Sequence, residues 1–317
     1  MKKHQTYFIV NVICVILFIA GCSVKNELQE SPTQIYTQSI QPSITEITPT
    51  WTSLTPISTP LPKESAIQEY LELLRTNRDC HLPCFWGITP GINTSQFTAD
   101  SIHTLENISL ASSYNAEGGY TSLEYFEGEY TLAVNIGFST FSSNGFIVNG
   151  MYITIRELKG YDPYFGHRFD SKPFNEIVFP YSLSGVLYDL GKPASIQIKA
   201  SNIQNVNQEL EYKFLLLYPD NGVLVQYTIP LQIEDKFVIG CPSDAHIDLK
   251  LMPAGDSNQF GLLLAGSEWE GFWPLPEKPK GKWLPIDQAT DMNIDEFYEL
   301  FLNNPDACIS TPAELWD

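Results

Sequence analysis

The chain has 317 residues, of which 13% are aromatic, and it carries a formal net charge of −19 at pH 7. Its 37 acidic residues outnumber its 18 basic ones, and the basic residues form no cluster. Because neutralising a phosphate backbone or an anionic lipid surface requires clustered Lys and Arg, the composition argues against nucleic-acid binding and against electrostatic adhesion to membranes.

Residues 1–21 are predicted to be an export signal. Lys2 and Lys3 precede an apolar run of 14 residues, Tyr7 to Ala20, which is shorter than the about 20 residues that span a bilayer. The following IAGC resembles the lipobox of bacterial lipoproteins, in which the cysteine is acylated and becomes the first residue. This resemblance implies lipidation of Cys22, with palmitate-like chains, and a location on the extracytoplasmic face of the cell membrane. The alternative is an ordinary signal peptide or an uncleaved anchor.

Residues 22–62 are predicted to be the lipidated cysteine followed by a disordered stalk. From Ser31 to Pro62, 19 of 32 residues are Ser, Thr or Pro, and Glu46 carries the only charge. Such a segment has too few apolar side chains to offset its ordering entropy, and its prolines interrupt helices and sheets. Its reach is expected to be roughly 30 to 100 Å.

Residues 63–160 are predicted to form an α+β half. The segment 64–77 places apolar residues at i, i+3, i+4 and i+7 from Ile67, which is typical of an amphipathic helix. A second helix is predicted to begin at a cap formed by Asn93 or Thr94. Three alternating runs then predict antiparallel strands: YTSLEYFEG, EYTLAVNIGFS and GFIVNGMYITIREL.

Residues 161–181 are predicted to be an aromatic connecting loop, and residues 182–317 a second half with a C-terminal helix. A helix from about Ser182 precedes the strand around Ile196 and Ile198, and further strands are predicted at ELEYKFLLLY, GVLVQYTI, KFVIGC and HIDLKLM. The PDNG sequence predicts a hairpin between the first two of these four. The last helix is expected to begin with a capping box of Asn293 and Glu296.

The order of helix then sheet, twice, predicts an α+β fold of two similar halves, each a helix plus an antiparallel sheet, packed in one extracytoplasmic unit. The segment SLSGVLYDLGKP resembles the helix, Gly-x-Pro and strand of small outer-membrane assembly lipoproteins and of the β-lactamase inhibitory protein fold, which are binding folds. The lipobox, the Thr/Pro stalk, CHLPCFWGITPG and the terminal CISTPAELW together resemble a group of uncharacterised bacterial lipoproteins. That group implies no specific activity.

Four cysteines remain beyond Cys22, namely Cys80, Cys84, Cys241 and Cys308, and they allow three pairings. Pairing of sequence neighbours is favoured, since it costs little loop entropy. A three-residue gap also resembles the copper-binding pair of Sco-type assembly proteins, which supports an alternative metal or thiol-redox role. The spacing does not fit haem attachment, and the chain lacks the alternating helices and parallel strands of the thioredoxin-like fold.

Catalytic motifs are missing from the sequence. It contains no GxSxG, HExxH, P-loop or GxGxxG pattern, and His81, His103, His167 and His246 are each isolated in the sequence. The segment from Asp291 to Glu299 resembles the start of a calcium loop but lacks its glycine and final acid, so helix capping explains it better. We therefore expect no enzymatic activity, no cofactor and no metal.

Two aromatic segments are candidate binding surfaces, because flat aromatic side chains on proline-rich loops stack on sugars or form protein interaction hot spots. The alternative is that they fill the core. The sequence thus predicts a membrane-anchored envelope module that binds a protein or another ligand. The alternatives are a copper or thiol-redox protein and a carbohydrate-binding module. The candidate residues are Tyr164, Phe165, Trp269, Phe272, Trp273 and Trp283.

Overall fold

A computed structural model describes residues 56–141, 145–159, 174–200, 211–255, 260–261, 264, 270–272, 274 and 282–316. Within these ranges, no helix is both long and apolar enough to cross a membrane. The predicted lipidation site, Cys22, lies outside the described residues, as do the signal and most of the stalk.

The first half contains two helices followed by four strands. The helices are α1 (Lys63–Thr76) and α2 (Ser95–His103), and the strands are β1 (Ser109–Asn115), β2 (Gly118–Glu127), β3 (Tyr130–Phe141) and β4 (Ile147–Lys159).

The second half begins with one helix followed by six strands. These are α3 (Leu183–Leu190), β5 (Ser195–Ala200), β6 (Glu211–Tyr218), β7 (Val223–Pro230), β8 (Gln232–Glu234), β9 (Phe237–Gly240) and β10 (His246–Leu251). The C-terminal part adds β11 (Leu284–Pro285), α4 (Ile286–Ala289), α5 (Ile294–Asn303) and β12 (Ile309–Pro312).

The two halves share one antiparallel sheet of nine strands in the order β1-β2-β3-β4-β10-β7-β6-β5-β11. The first half contributes β1 to β4 in sequence order from its outer edge inward. The second half contributes β5, β6, β7 and β10 in the same sense, with β11 added outside β5 and with β8 and β9 inserted in the chain before β10. The halves meet where β4 pairs with β10, with Thr154 opposite Asp248. The predicted α+β fold with two similar halves is therefore confirmed.

Local sequence signals explain where several elements begin. The Thr94 side chain accepts a hydrogen bond from the Phe97 amide at 3.3 Å and begins α2. Asn293 and Glu296 form the predicted reciprocal capping box at the start of α5. Gly222, with φ of 67°, closes the predicted hairpin between β6 and β7, since a left-handed backbone favours glycine there.

One face of the large sheet forms the main core against the helices. Tyr70 of α1 is fully buried and donates to the Leu132 carbonyl of β3 at 3.1 Å. Phe297 of α5 packs on Phe214 of β6 with ring centroids 6.2 Å apart. Helices α1, α3 and α5 each supply buried residues to this core.

A smaller sheet in the order β12-β9-β8 fastens the C-terminus. Cys241, directly after β9, forms a disulfide with Cys308, directly before β12. Trp316 is fully buried and donates from its indole nitrogen to the Thr311 hydroxyl at 2.9 Å. The terminal CISTPAELW sequence is therefore an anchor for the chain end.

The last residues assigned to the stalk belong to the fold. The Ile57 amide donates to a carboxylate oxygen of Asp100 at 2.7 Å, and the Leu61 amide donates to the Thr104 carbonyl at 2.9 Å. These contacts tie the segment before α1 to α2 and its C-terminal end.

Candidate functional site

The CHLPCFWGITPG sequence lies between α1 and α2, and its Cys80 and Cys84 form a disulfide. The pairing predicted from loop entropy is thus observed at both bridges. Phe85 and Trp86, directly after the bridge, are buried and stacked with centroids 4.6 Å apart. These two rings pack in the main core and so attach the junction to it.

Asn77 organises this junction from inside the core, where it is 4% exposed. Its side-chain amide donates to the carbonyls of Cys80 and Cys84 at 2.7 and 2.8 Å. Its side-chain oxygen accepts from the Trp86 amide at 2.8 Å and from the Tyr181 hydroxyl at 3.1 Å. A single side chain therefore satisfies four polar groups, three from the junction and one from Tyr181 at the end of the connecting loop.

Tyr181, in the turn that precedes α3, completes the network. Its hydroxyl also accepts from the Trp86 indole nitrogen at 3.2 Å. Burial raises the pKa of Tyr181 well above its ordinary value, so the phenol stays protonated and can donate. The junction is thus built as a rigid structural element.

Three of the histidines that look isolated in the sequence, His81, His103 and His246, have carboxylate partners in the fold, and His167 lies outside the described residues. His81 contacts Asp189 of α3, whose other oxygen accepts from the Leu82 amide at 3.0 Å. His103 lies 3.0 Å from Glu106. The described part of the chain contains no group of three or more His, Cys, Asp or Glu side chains that could hold a metal ion.

The predicted aromatic binding residues fall into two groups. Tyr164, Phe165, Trp269 and Trp273 lie outside the described residues. Phe272 is 2% exposed and makes an edge-on contact with the half-buried Trp283 at 5.4 Å between centroids. Phe272 is therefore a core side chain with no face free for stacking on a ligand.

Phe272 belongs to a second hydrophobic cluster, on the sheet face opposite α1, α3 and α5. Leu215, Leu217 and Leu224 of β6 and β7 pack there against Met252, Phe260, Leu264 and Phe272 from the chain after β10. Beside this cluster Gln226, Thr228 and Gln197 are buried as well. The chain after β10 thus covers this face over the second half of the sheet.

Over the first half the same face is polar and accessible. Tyr120 of β2 is 46% exposed and Tyr152 of β4 is 39% exposed, with Ser122 and Asn135 half-buried between them. The register places Ser122 beside Asn135, and Asn135 beside Thr154. We call the surface formed by Tyr120, Ser122, Asn135 and Tyr152 the open sheet face.

Hydrogen bonds fix both tyrosines of the open sheet face. The Tyr120 hydroxyl donates to the Asn135 side chain at 2.9 Å. The Tyr152 hydroxyl donates to Asp248 at 2.9 Å, and the Thr154 hydroxyl donates to the same oxygen at 2.7 Å. Each tyrosine hydroxyl is therefore held by a hydrogen bond within the sheet.

Asp248 is the buried anchor at the border of the open sheet face. His246 lies on the same face two residues earlier, with its Nε2 3.2 Å from Asp248. Burial alone would raise the pKa of Asp248, but hydrogen bonds from His246, Thr154 and Tyr152 outweigh it and hold that pKa below its ordinary value of 3.8. The carboxylate is thus charged at neutral pH and orients Tyr152.

Sequence reasoning missed the open sheet face because its residues are scattered over strands distant in the chain. The His246 and Asp248 pair could have been found, since residues i and i+2 of a strand share a face. No protein family, curated protein or solved structure matches the chain.

Proposed function

We propose that this chain is a lipid-anchored protein of the extracytoplasmic membrane face that binds another protein of the cell envelope through the open sheet face. The supporting observation is the asymmetry of the sheet. The chain after β10 buries the second half of one face, whereas Tyr120 and Tyr152 are exposed on the first half.

The chemistry of the open sheet face suits a protein partner. Tyrosines are enriched among the residues that dominate binding energy, because they offer a large apolar ring and a polar hydroxyl. The bonds to Asn135 and Asp248 already restrict both rings. Pre-ordered side chains reduce the entropy lost on association, which is about 0.5–1.5 kcal/mol for each immobilised side chain.

The predicted anchor at Cys22 and the stalk complete the proposal. A tether of roughly 30 to 100 Å would let the domain reach partners at some distance from the membrane. Because the tether confines the domain near the membrane, it would also raise the local concentration of the domain around those partners. Recognition is then assigned to the folded domain and membrane attachment to the acyl chains.

Site-specific photocrosslinking in cells tests the proposal. The full chain would carry p-benzoylphenylalanine in place of Tyr120 or Tyr152, and the control would carry it in place of Tyr188. Tyr188 is 82% exposed and lies on α3, which packs on the opposite face of the sheet. We expect one defined protein to be crosslinked from positions 120 and 152 and not from 188.

Two results would contradict the proposal. The first is crosslinking from position 188 alone, which would move the binding surface to the groove beside the Cys80–Cys84 bridge, lined by Phe179 and Tyr188. The second is the absence of a crosslinked protein at all three positions while the chain is folded and present at the membrane.

A further inference from the structure

Among the strands of the described residues, β1 lies at the outer edge of the nine-stranded sheet and pairs only with β2. It runs over Ser109–Asn115, SLASSYN, and most of its side chains are exposed. An edge strand presents a row of backbone N–H and C=O groups that can pair with another chain.

The hairpin register shows which backbone groups of β1 point outward. Asn115 pairs with Gly118 across a two-residue turn, so these two residues exchange ladder hydrogen bonds. Because backbone direction alternates along a strand, the N–H and C=O groups of Ser113 and Ala111 point toward β2. The N–H and C=O groups of Ser112 and Tyr114 point outward, away from β2. The β2–β3 hairpin, closed by Glu127 and Tyr130 around Gly128, gives the same alternation.

The other edges of the described sheets are protected in ways that β1 is not. Strand β11 has two residues and ends at Pro285, β8 has three residues and ends at Glu234, and β12 has four and ends at Pro312. Short length, proline and charge all discourage strand pairing. Strand β1 has seven residues without a proline or a charge, and its one irregularity is the bulge at the exposed Leu110.

The sequence around β1 is acidic over a long span. No Lys or Arg occurs between Arg78 and Arg156, whereas seven Asp and Glu residues do. Glu117 is exposed in the turn at one end of β1, and Glu106 is the first residue of the 3₁₀ turn Glu106–Ile108 that precedes the other end. A strand added to this edge would therefore bind more tightly if it carried Lys or Arg side chains near its ends, where they would be attracted to these carboxylates.

We propose that β1 receives an extended, Lys- or Arg-bearing segment of the partner protein by strand addition, which would extend the sheet to ten strands. This inference rests on the proposed function, because it specifies how the partner of the open sheet face is held. Main-chain hydrogen bonds to Ser112 and Tyr114 supply affinity, and the acidic surroundings supply selectivity. A second copy of the chain is disfavoured, since pairing two β1 edges would bring the same acidic residues together.

The test uses the full chain and a displayed library of random ten-residue peptides. We expect selected peptides to carry Lys or Arg and no Pro in the central positions, and their synthetic versions to slow hydrogen exchange of the Ser112 and Tyr114 amides. Ser112→Pro removes an outward N–H, and we expect it to weaken binding at least tenfold. Ser112→Ala is the matched control, because it loses the same hydroxyl contacts to Ser109 and Thr121 and keeps the N–H.

A second variant keeps the test decisive if Ser112→Pro does not fold. Glu117→Lys changes an exposed turn residue, and we expect it to weaken the basic peptides several-fold and to reduce the salt dependence of their binding. Three results would overturn the inference. Acidic peptides could bind as tightly as basic ones, bound peptides could slow hydrogen exchange at amides outside β1, or the library could yield no binder. If the chain forms concentration-dependent dimers and Ser112→Pro abolishes them, the inference would also be overturned, because β1 would then pair with a second copy of the chain.

The two proposals fail in different ways. Crosslinking from positions 120 and 152 that persists in Ser112→Pro leaves the proposed function standing and refutes strand addition. Loss of crosslinking from positions 120 and 152 in Ser112→Pro, but not in Ser112→Ala, supports both.

Discussion

Asn77→Ala is predicted to destabilise the disulfide junction strongly. The substitution removes four hydrogen bonds and leaves the Trp86 amide and the carbonyls of Cys80 and Cys84 without these partners. A buried polar group left unsatisfied costs about 1–3 kcal/mol. Because a groove beside Cys80 can admit water, the lower part of that range applies, and the three groups together lose about 3 kcal/mol.

The backbone of Asn77 adds a second contribution. Its φ of 50° lies in the left-handed region, which Asn tolerates better than Ala by about 1 kcal/mol. The total expected loss is about 4 kcal/mol, which is a large part of the 5–15 kcal/mol that stabilises a typical domain. Asn77→Gly is the matched control, since it loses the same side-chain bonds but adopts the left-handed backbone without strain.

Urea unfolding of the mature chain, followed by tryptophan fluorescence, measures both variants. We expect Asn77→Ala to lower the free energy of unfolding by about 4 kcal/mol and Asn77→Gly by about 3 kcal/mol. A loss below about 1 kcal/mol in Asn77→Ala would refute the reasoning, since even one neutral hydrogen bond contributes that much.

Three further predictions concern other parts of the fold. Replacing Cys241 and Cys308 by Ala opens a bridge with a sequence separation of 67, so urea unfolding should show a loss on the order of 4 kcal/mol. Because the folded pKa of Asp248 is lowered, its ionised form stabilises the fold above its ordinary pKa of 3.8, and this stabilisation is lost as pH falls through the lowered value. Asp248→Asn should therefore be less stable than the wild type at pH 7, with the difference shrinking in thermal unfolding below pH 4. Gly222→Ala should cost about 2 kcal/mol or more in urea unfolding, because its Cβ would meet the Met252 carbonyl and its φ is 67°.

Local signals in the sequence predicted the elements that short-range chemistry determines. The cap at Thr94, the capping box at Asn293 and the hairpin closed by Gly222 each depend on residues within four positions of one another. The two halves were predictable because each repeats a helix followed by alternating strands. Pairing of sequence neighbours in the disulfides followed from loop entropy.

Long-range features were not predictable in the same way. Strand β1 shows no apolar alternation, because at an exposed edge neither of its faces is deeply buried. The contact of His81 with Asp189 joins residues 108 positions apart. The burial of Phe272 against Leu215 and Leu224 depends on which face the chain after β10 covers, and no local pattern encodes that choice.

The open sheet face was the hardest feature to predict, although it carries the proposed function. Tyr120 reaches Asn135 diagonally across the β2–β3 pair, because the register places Gly137 opposite Tyr120 and Ser122 opposite Asn135. Tyr152 reaches Asp248 from a different half of the protein. Such a surface is determined by the meeting of β4 and β10 at the centre of the sheet.

The most direct test of the central claim is the yield of crosslinked partner from position 135 in cells, with and without the two exposed tyrosines. In the full chain carrying p-benzoylphenylalanine at position 135, Tyr120→Ser with Tyr152→Ser should lower the yield at least tenfold. The double variant should stay folded, with a free energy of unfolding lowered by about 2 kcal/mol, because each tyrosine loses one hydrogen bond worth about 1 kcal/mol. An unchanged yield in a folded double variant would contradict binding through the open sheet face.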